Sequence, residues 1–277
     1  YNGLEVGEIM KQIISFFFII LLCTGCQEPK EVVTTKAVSN DQMGIITLQQ
    51  EAPVVETTEN GTTSNPVNDN SRVIVIDAGH QRYGNSDKEP IGPGASETKA
   101  KVTTGATGVS TGALESNINL EVAFKLQDKL TAAGYTVIMV RTSQDVNLSN
   151  AQRAEIANEN NAAAFIRLHC NSADSSSATG TLTMAPSSSN PYCSEIAEAS
   201  QSLSKSVVNN ICWQTGSKNR GVTITDTMSG INWCQVPVTI VEMGFLSNVD
   251  EEQKLIDSSY QDKIAKGIVL GINEFLN

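Results

Sequence analysis

Arg72-Val73-Ile74-Val75-Ile76-Asp77-Ala78-Gly79-His80 is an unbroken β-branched run that ends in a carboxylate, two small residues and an imidazole. A continuous apolar run, unlike an alternating one, is what a strand buried on both faces of a parallel-type sheet requires. Two later stretches repeat the design. Ala163-Ala164-Phe165-Ile166-Arg167-Leu168 leads into His169, and Pro237-Val238-Thr239-Ile240-Val241 leads into Glu242. His80 and His169 are the only two histidines in the chain. In an open α/β sheet the ligand crevice lies outside the carboxyl ends of the strands, where such residues converge. Two imidazoles with carboxylates at strand ends are what a catalytic zinc site needs.

The intervening segments supply helices. Ile118, Val122, Leu126 and Leu130 recur every fourth place before Gly134, predicting a helix over Glu115–Ala133. Tyr135–Arg141 reads as a strand, Ser149–Asn160 and Ser194–Thr215 as helices, and Gly221–Thr225 as a short strand. Asn248-Val249-Asp250-Glu251 resembles a capping box, and Ile264, Ile268, Ile272 and Phe275 mark a terminal helix. Gln81–Ala113, rich in Gly, Thr, Ser and Pro, reads as a long loop, a feature that usually signals function or mobility. Its Thr-Gly repeats do not form a phosphate cradle, because Gly-Lys-Ser/Thr is missing and no strand leads directly into it. Strands alternating with helices predict one α/β domain over 71–277, a mostly parallel twisted sheet flanked by helices.

The 277 residues carry 19 Lys and Arg against 30 Asp and Glu, a formal charge of −11, with no basic block. Nucleic acid is thereby excluded as a partner, since phosphate binding relies on clustered cations. An anionic polymer would have to be held by local groups against the overall field. Near the start, Lys11 precedes an apolar stretch of 11 residues, Ile13–Cys23, too short to span a bilayer. Leu21-Leu22-Cys23-Thr24-Gly25-Cys26 resembles a bacterial lipoprotein signal, with Cys23 where a leucine is usual. Met10-Lys11 looks like a natural start, so 1–26 is expected to be upstream residues plus a lipoprotein-type signal peptide. Export and a membrane anchor through a lipid on Cys26 follow from that reading. Residues 27–70 are polar and aperiodic and read as a disordered linker, with a reach of roughly 35–40 Å as a flexible coil.

Four cysteines remain, Cys170, Cys193, Cys212 and Cys234, without a C-x-x-C pair. In an exported protein they allow up to two disulfides in three connectivities. Cys170 follows His169 directly, yet with no histidine free to activate it, it reads as a small residue lining the site. For a third metal ligand the residues themselves nominate Glu115, Glu242, Asp77 and Cys170, and periodicity does not choose among them. Glu115 is also explained by the helix dipole, which favours an acid in the first turn. Glu242 ends an apolar run, where a carboxylate needs a partner or a function.

Asp77-Ala78-Gly79-His80, the Gly105-Ala106-Thr107-Gly108-Val109-Ser110-Thr111-Gly112 stretch before Glu115, Arg167-Leu168-His169-Cys170-Asn171-Ser172-Ala173 and Val241-Glu242-Met243-Gly244-Phe245-Leu246-Ser247-Asn248 occur in order. Together they closely resemble the zinc-dependent N-acetylmuramoyl-L-alanine amidases of the bacterial cell wall, over Arg72 to Asn277. The resemblance implies that His80, Glu115 and His169 bind one Zn2+ ion and that Glu242 is the catalytic glutamate. It implies hydrolysis of the amide between the lactyl group of N-acetylmuramic acid and L-alanine, peptidoglycan as partner, a monomer, and a place at the outer face of the cytoplasmic membrane or in the wall. Asn219-Arg220-Gly221-Val222 and Pro237 match family positions near the cleft. Asn171 reads either as holding a site group or as a turn residue, and Asp77 as orienting its loop. Two departures stand out: an insertion over roughly Arg82–Thr104, and Cys170 where a residue such as alanine is common. The alternatives are a peptidoglycan-binding lipoprotein without the chemistry, or a zinc peptidase acting on the stem peptide.

Overall fold

The computed structural model describes residues 72–277. The expected signal, Cys26 and the 27–70 linker lie outside the described residues. In chain order the strands are β1 (Val73–Ala78), β2 (Asn85–Pro90), β3 (Thr98–Val102), β4 (Thr136–Met139), β5 (Ala164–Asn171), β6 (Thr181–Ala185), β7 (Asn219–Ile224) and β8 (Val238–Phe245). The helices are α1 (Glu115–Ala132), α2 (Asn150–Glu159), α3 (Ala197–Thr215), α4 (Ser229–Asn232), α5 (Val249–Leu255) and α6 (Ser258–Leu276). Among the described residues no helix is long and apolar enough to cross a membrane.

Six strands form one sheet in the order β4-β1-β5-β8-β6-β7. Four of its five pairings are parallel, and only β6 runs against its neighbour β8. The mostly parallel sheet expected from the sequence is therefore present, and β1 and β5 lie inside it, as their unbroken apolar runs require. Along each strand the side chains alternate between two cores. Ile74, Ile76, Ile166 and Leu168 pack with α1, α3 and α6, while Val75 and Phe165 pack with α2 and α4 on the other face. Burying each such side chain contributes about 1.5–3 kcal/mol. Helices α3 and α6 approach closely enough that a Cβ at Gly267 would lie 2.6 Å from Ile211 Cα, and one at Gly271 2.6 Å from Val207 Cα.

The ends of the helices follow their local chemistry. Ser149 and Gln152 make a full capping box that starts α2. At α5 only half of the expected box forms: Asn248 accepts from Glu251 N–H, while the Glu251 carboxylate turns away to Gly180 N–H and Phe245 N–H. Glu251 thereby ties the start of β6 to the end of β8.

The structure corrects the sequence reading in three places. Strand β6 was not anticipated, because Thr181-Leu182-Thr183-Met184-Ala185 is short and owes its state to pairing with β7 and β8. Strands β5 and β8 run past His169 and Glu242 to Asn171 and Phe245, so these two residues lie within strands and not after them. The Arg82–Thr104 insertion is not an open loop but contains the antiparallel hairpin β2–β3. Its polar strands lack apolar alternation; it is seated by the buried Ile91 and Val102 and by hydrogen bonds at both ends. Trp233 Nε1 donates to Pro90 O at 2.9 Å, Asn150 Nδ2 to Lys101 O at 3.0 Å, and Ala151 N to Glu89 Oε1 at 3.3 Å.

Candidate active site

His80, Glu115, His169 and Glu242, four residues distant in sequence, come together at the carboxyl-end side of β1, β5 and β8 and the first turn of α1. His80 follows β1 with φ at +62°, a backbone conformation that a side chain rarely adopts and that turns the ring into the crevice. Its Nδ1 lies 2.8 Å from Thr103 O. A carbonyl only accepts, so Nδ1 donates this bond and Nε2 is the nitrogen left facing the site. Nε2 faces Glu115 Oε1 at 3.1 Å, and His169 Nδ1 faces the same oxygen at 3.2 Å and His80 Nε2 at 3.1 Å.

Each of these side chains is held by its surroundings. Glu115 opens α1, where the helix N-terminus favours its charge. Its Oε2 accepts from Ala106 N–H at 2.6 Å, and Oε1 from Cys170 N–H at 3.0 Å. Asn119, one turn on, donates to Gly79 O at 3.2 Å and lies 3.5 Å from Glu115 Oε1. A Cβ at Gly79 would sit 2.3 Å from His169 Cε1, so glycine is what lets this loop lie against that ring. Under the loop, Asp77 takes Arg153 Nη1 at 2.6 Å and Arg167 Nε at 2.9 Å. Arg153 Nη2 reaches on to His80 O at 3.1 Å, which is how Asp77 orients the loop. Arg141 Nε donates to Ala78 O at 2.6 Å, and its Nη2 to Gly79 O at 3.1 Å and Ser116 O at 2.7 Å.

Electrostatics separate the two carboxylates. For Glu115, burial works to raise the pKa, but hydrogen bonds to His169 and His80 overcome it and hold the carboxyl well below its usual range. Burial lowers the pKa of His169, which favours the neutral ring. Glu242, paired in register with His169 across β5 and β8, is pushed up to about 8 by burial and by the charge of Glu115. Its Oε2 and His169 Nε2 are both buried without a hydrogen-bond partner. Burial and the charges of Glu115 and Glu242 push the Cys170 thiol well above its usual range, so it is no thiolate.

His80 Nε2, Glu115 and His169 offer ligand atoms all within 4.8 Å of one another. Three lone-pair donors facing one point repel unless a proton or a cation lies between them. Two imidazoles and one carboxylate are a donor set that suits a divalent metal ion. The same set lies at the junction of two cavities that share His80, Thr103, His169 and Glu242. One, of about 480 Å³, runs beneath the hairpin toward Met184 and Ile240; the other, of about 320 Å³, opens beside Thr104, Asn171 and Ser172.

Other expected residues fall elsewhere. Asn219–Val222 form part of the edge strand β7, and neither they nor Pro237 lines either of these cavities. Asn171 Oδ1 accepts from Ser172 N–H at 2.7 Å, the turn role. Cys170, Cys193, Cys212 and Cys234 are all free thiols. Sequence reasoning passed over Asn119, Arg141 and Arg153. Asn119 had a usable signal in its i, i+4 spacing from Glu115; the two arginines had none beyond lying just after β4 and in α2.

The fold is a single α/β domain that gathers two imidazoles and two carboxylates where β1, β5 and β8 meet the first turn of α1, a cluster able to hold a metal ion. Residues 74–274 match the family model described as N-acetylmuramoyl-L-alanine amidase, and the chain belongs to that family. It is 28% identical over 235 residues to the N-acetylmuramoyl-L-alanine amidase LytC of Bacillus subtilis (strain 168), covering 84% of this chain but only 41% of that relative. With YqiI of the same organism, an uncharacterized protein, it shares 30% identity over 204 residues, 74% of this chain and 84% of that one. The catalytic domain of CwlV, the N-acetylmuramoyl-L-alanine amidase of Bacillus (Paenibacillus) polymyxa var. colistinus, superimposes with a TM-score of 0.60 at 30% identity, covering 74% of this chain and 98% of that structure.

Proposed function

We propose that the chain hydrolyses the amide between the lactyl group of N-acetylmuramic acid and L-alanine in peptidoglycan, with His80, Glu115 and His169 as ligands of one zinc ion. The observation that carries this reading is the convergence of three ligand atoms within 4.8 Å in a chain of the amidase family. When bound, zinc supplies Lewis acidity that brings the pKa of a coordinated water toward ~7 and polarises the scissile carbonyl.

Glu242 is the acid–base group. It takes the proton of the attacking water and passes it to the nitrogen of the departing L-alanine, so that one water is consumed and a lactyl carboxylate and an amine are released. Burial and the charge of Glu115 give Glu242 a raised pKa, so it can hold the proton it takes, and a metal held beside it would favour the carboxylate that accepts the proton first. His80 is fixed in the ligand tautomer by Thr103 O, and Glu115 is fixed in its ionised form by Ala106 and Cys170 N–H groups.

Export, a lipid on Cys26, action at the outer face of the membrane or in the wall, and a monomeric state belong to the same proposal. Export, the lipid and the place of action rest on the signal-like residues before Gln27 and on an insoluble substrate that a tethered enzyme can reach.

Digestion of purified wall, with and without a chelator, tests the reaction. Mass analysis is expected to find peptides with a new L-alanine amine and glycan that keeps its lactyl groups, with both lost on chelation and restored by zinc. Cleavage inside the stem peptide would instead identify a peptidase.

A further inference from the structure

Hairpin β2–β3 forms a wall of the larger cavity beside Glu242, with Lys88 and Lys99 among the lining groups. The wall is fixed at both ends: Trp233 and Asn150 bind its backbone, and Lys99 Nζ donates to Thr227 O at 2.6 Å on the opposite rim. That bond uses one of the three N–H donors of the Lys99 ammonium and leaves two. Among the described residues neither Lys88 nor Lys99 has a carboxylate within ion-pair distance, whereas the hairpin's third lysine, Lys101, is paired with Asp87 at 3.3 Å. In a chain with a formal charge of −11, Lys88 and Lys99, on opposite faces of the hairpin (Lys88 across from Ala100, Lys99 across from Glu89) yet both bordering the cavity, are cations that an anionic ligand entering it would meet.

We propose that this inserted hairpin is a specificity element for the leaving peptide, with Lys88 and Lys99 supplying the positive charge that favours a substrate carboxylate one residue beyond the scissile amide. The inference rests on the reaction proposed above. Its volume of about 480 Å³ suits a short peptide, and Val102, Met184 and Ile240 give an apolar patch for the alanine methyl. Where the second residue is a glutamate joined onward through its side chain, its α-carboxylate stays free, roughly 6–7 Å along the chain from the cut. Amidation of that carboxylate removes the charge without changing the length.

The test compares muramoyl-L-alanyl-D-glutamate with muramoyl-L-alanyl-D-isoglutamine, which differ only in that group. Binding is measured by calorimetry on the zinc-loaded Glu242→Gln protein, so that neither ligand is consumed, and cleavage on the zinc-loaded wild type. The acid is expected to bind about five- to tenfold more tightly, the order for two partly exposed charge pairs, with the preference weakening in salt. In the Lys88→Gln/Lys99→Gln background the preference falls to about one, and in Lys88→Arg/Lys99→Arg it is retained. Equal binding of both ligands, or an unchanged preference in the glutamine variant, overturns the proposal. A preference for the acid that persists without cleavage of either lactyl amide overturns the proposed reaction and leaves the carboxylate subsite standing.

Discussion

Arg153 Nη1 lies 2.6 Å from Asp77 Oδ1, with both side chains wholly removed from solvent. The guanidinium continues to the carbonyl of His80, so a buried ion pair beneath the sheet end sets the position of a proposed metal ligand. Breaking such a pair leaves one charge buried without compensation, at a cost of about 3–5 kcal/mol. Arg153→Met is expected to lower stability by that order in urea unfolding and to weaken metal binding, because His80 loses its anchor.

The same pair gives the fold an acid dependence. Burial by itself raises the pKa of Asp77, but the charges of Arg153 and Arg167 overcome it and hold the carboxyl far below its ordinary range. A carboxyl whose folded pKa lies below its unfolded value, about 4, stabilises the fold above that pH and loses the contribution as pH falls beneath it. The urea midpoint should therefore drop between about pH 4 and pH 2. Asp77→Asn should be less stable at pH 7 and should show a shallower drop. An equal slope in both proteins would remove Asp77 as its source.

Glu242→Gln keeps the shape of the side chain and removes its proton chemistry. Turnover should fall by about 10²–10⁴, the range for a lost general acid–base, while zinc content stays at one per chain. Metal retained with near-normal activity would show that Glu242 is not the proton carrier.

Much of this site could be read before any coordinates, for physical reasons that also explain the failures. His80, His169 and Glu242 end or interrupt unbroken apolar runs, and a polar group placed there is conspicuous. Glu115 was ambiguous because a helix N-terminus explains an acid equally well; what the sequence does not carry is its approach to both imidazoles and to Cys170 N–H. Arg153 was invisible because its partner Asp77 is 76 residues away, and no local period marks a long-range pair. Hairpin β2–β3 escaped because Asn85-Ser86-Asp87-Lys88-Glu89-Pro90 has no alternation, its strand state coming from β3 and from docking on α2 and α4.

Cys170 stands beside His169, and its chemistry can be checked directly. Its thiol is buried among carboxylates and held in the neutral form, while its contribution to the site comes from the backbone N–H that binds Glu115. Cys170→Ala should keep turnover within about twofold and cost on the order of 1 kcal/mol of packing. Alkylation at pH 8 should leave activity intact. Rapid inactivation by alkylation in wild type, absent in Cys170→Ala, would assign the thiol a part in the reaction.

Zinc should couple to stability through the same three ligands. A ligand that binds only the folded state adds about 2.7 kcal/mol at a hundred times its Kd. For a domain of this size that is a rise in Tm of roughly 5–10 °C. The rise should vanish in His169→Ala and shrink strongly in Glu115→Gln, which keeps the side-chain volume but leaves the ion with two neutral ligands and no carboxylate to offset its charge. Because proton and metal compete for the imidazoles, zinc stabilisation should also fade on acidification, through whichever histidine protonates first. Burial keeps His169 neutral to lower pH than an ordinary histidine, which favours retention of the ion at that ligand. A full thermal shift persisting in both His169→Ala and Glu115→Gln would place the ion elsewhere and remove the basis for the proposed chemistry.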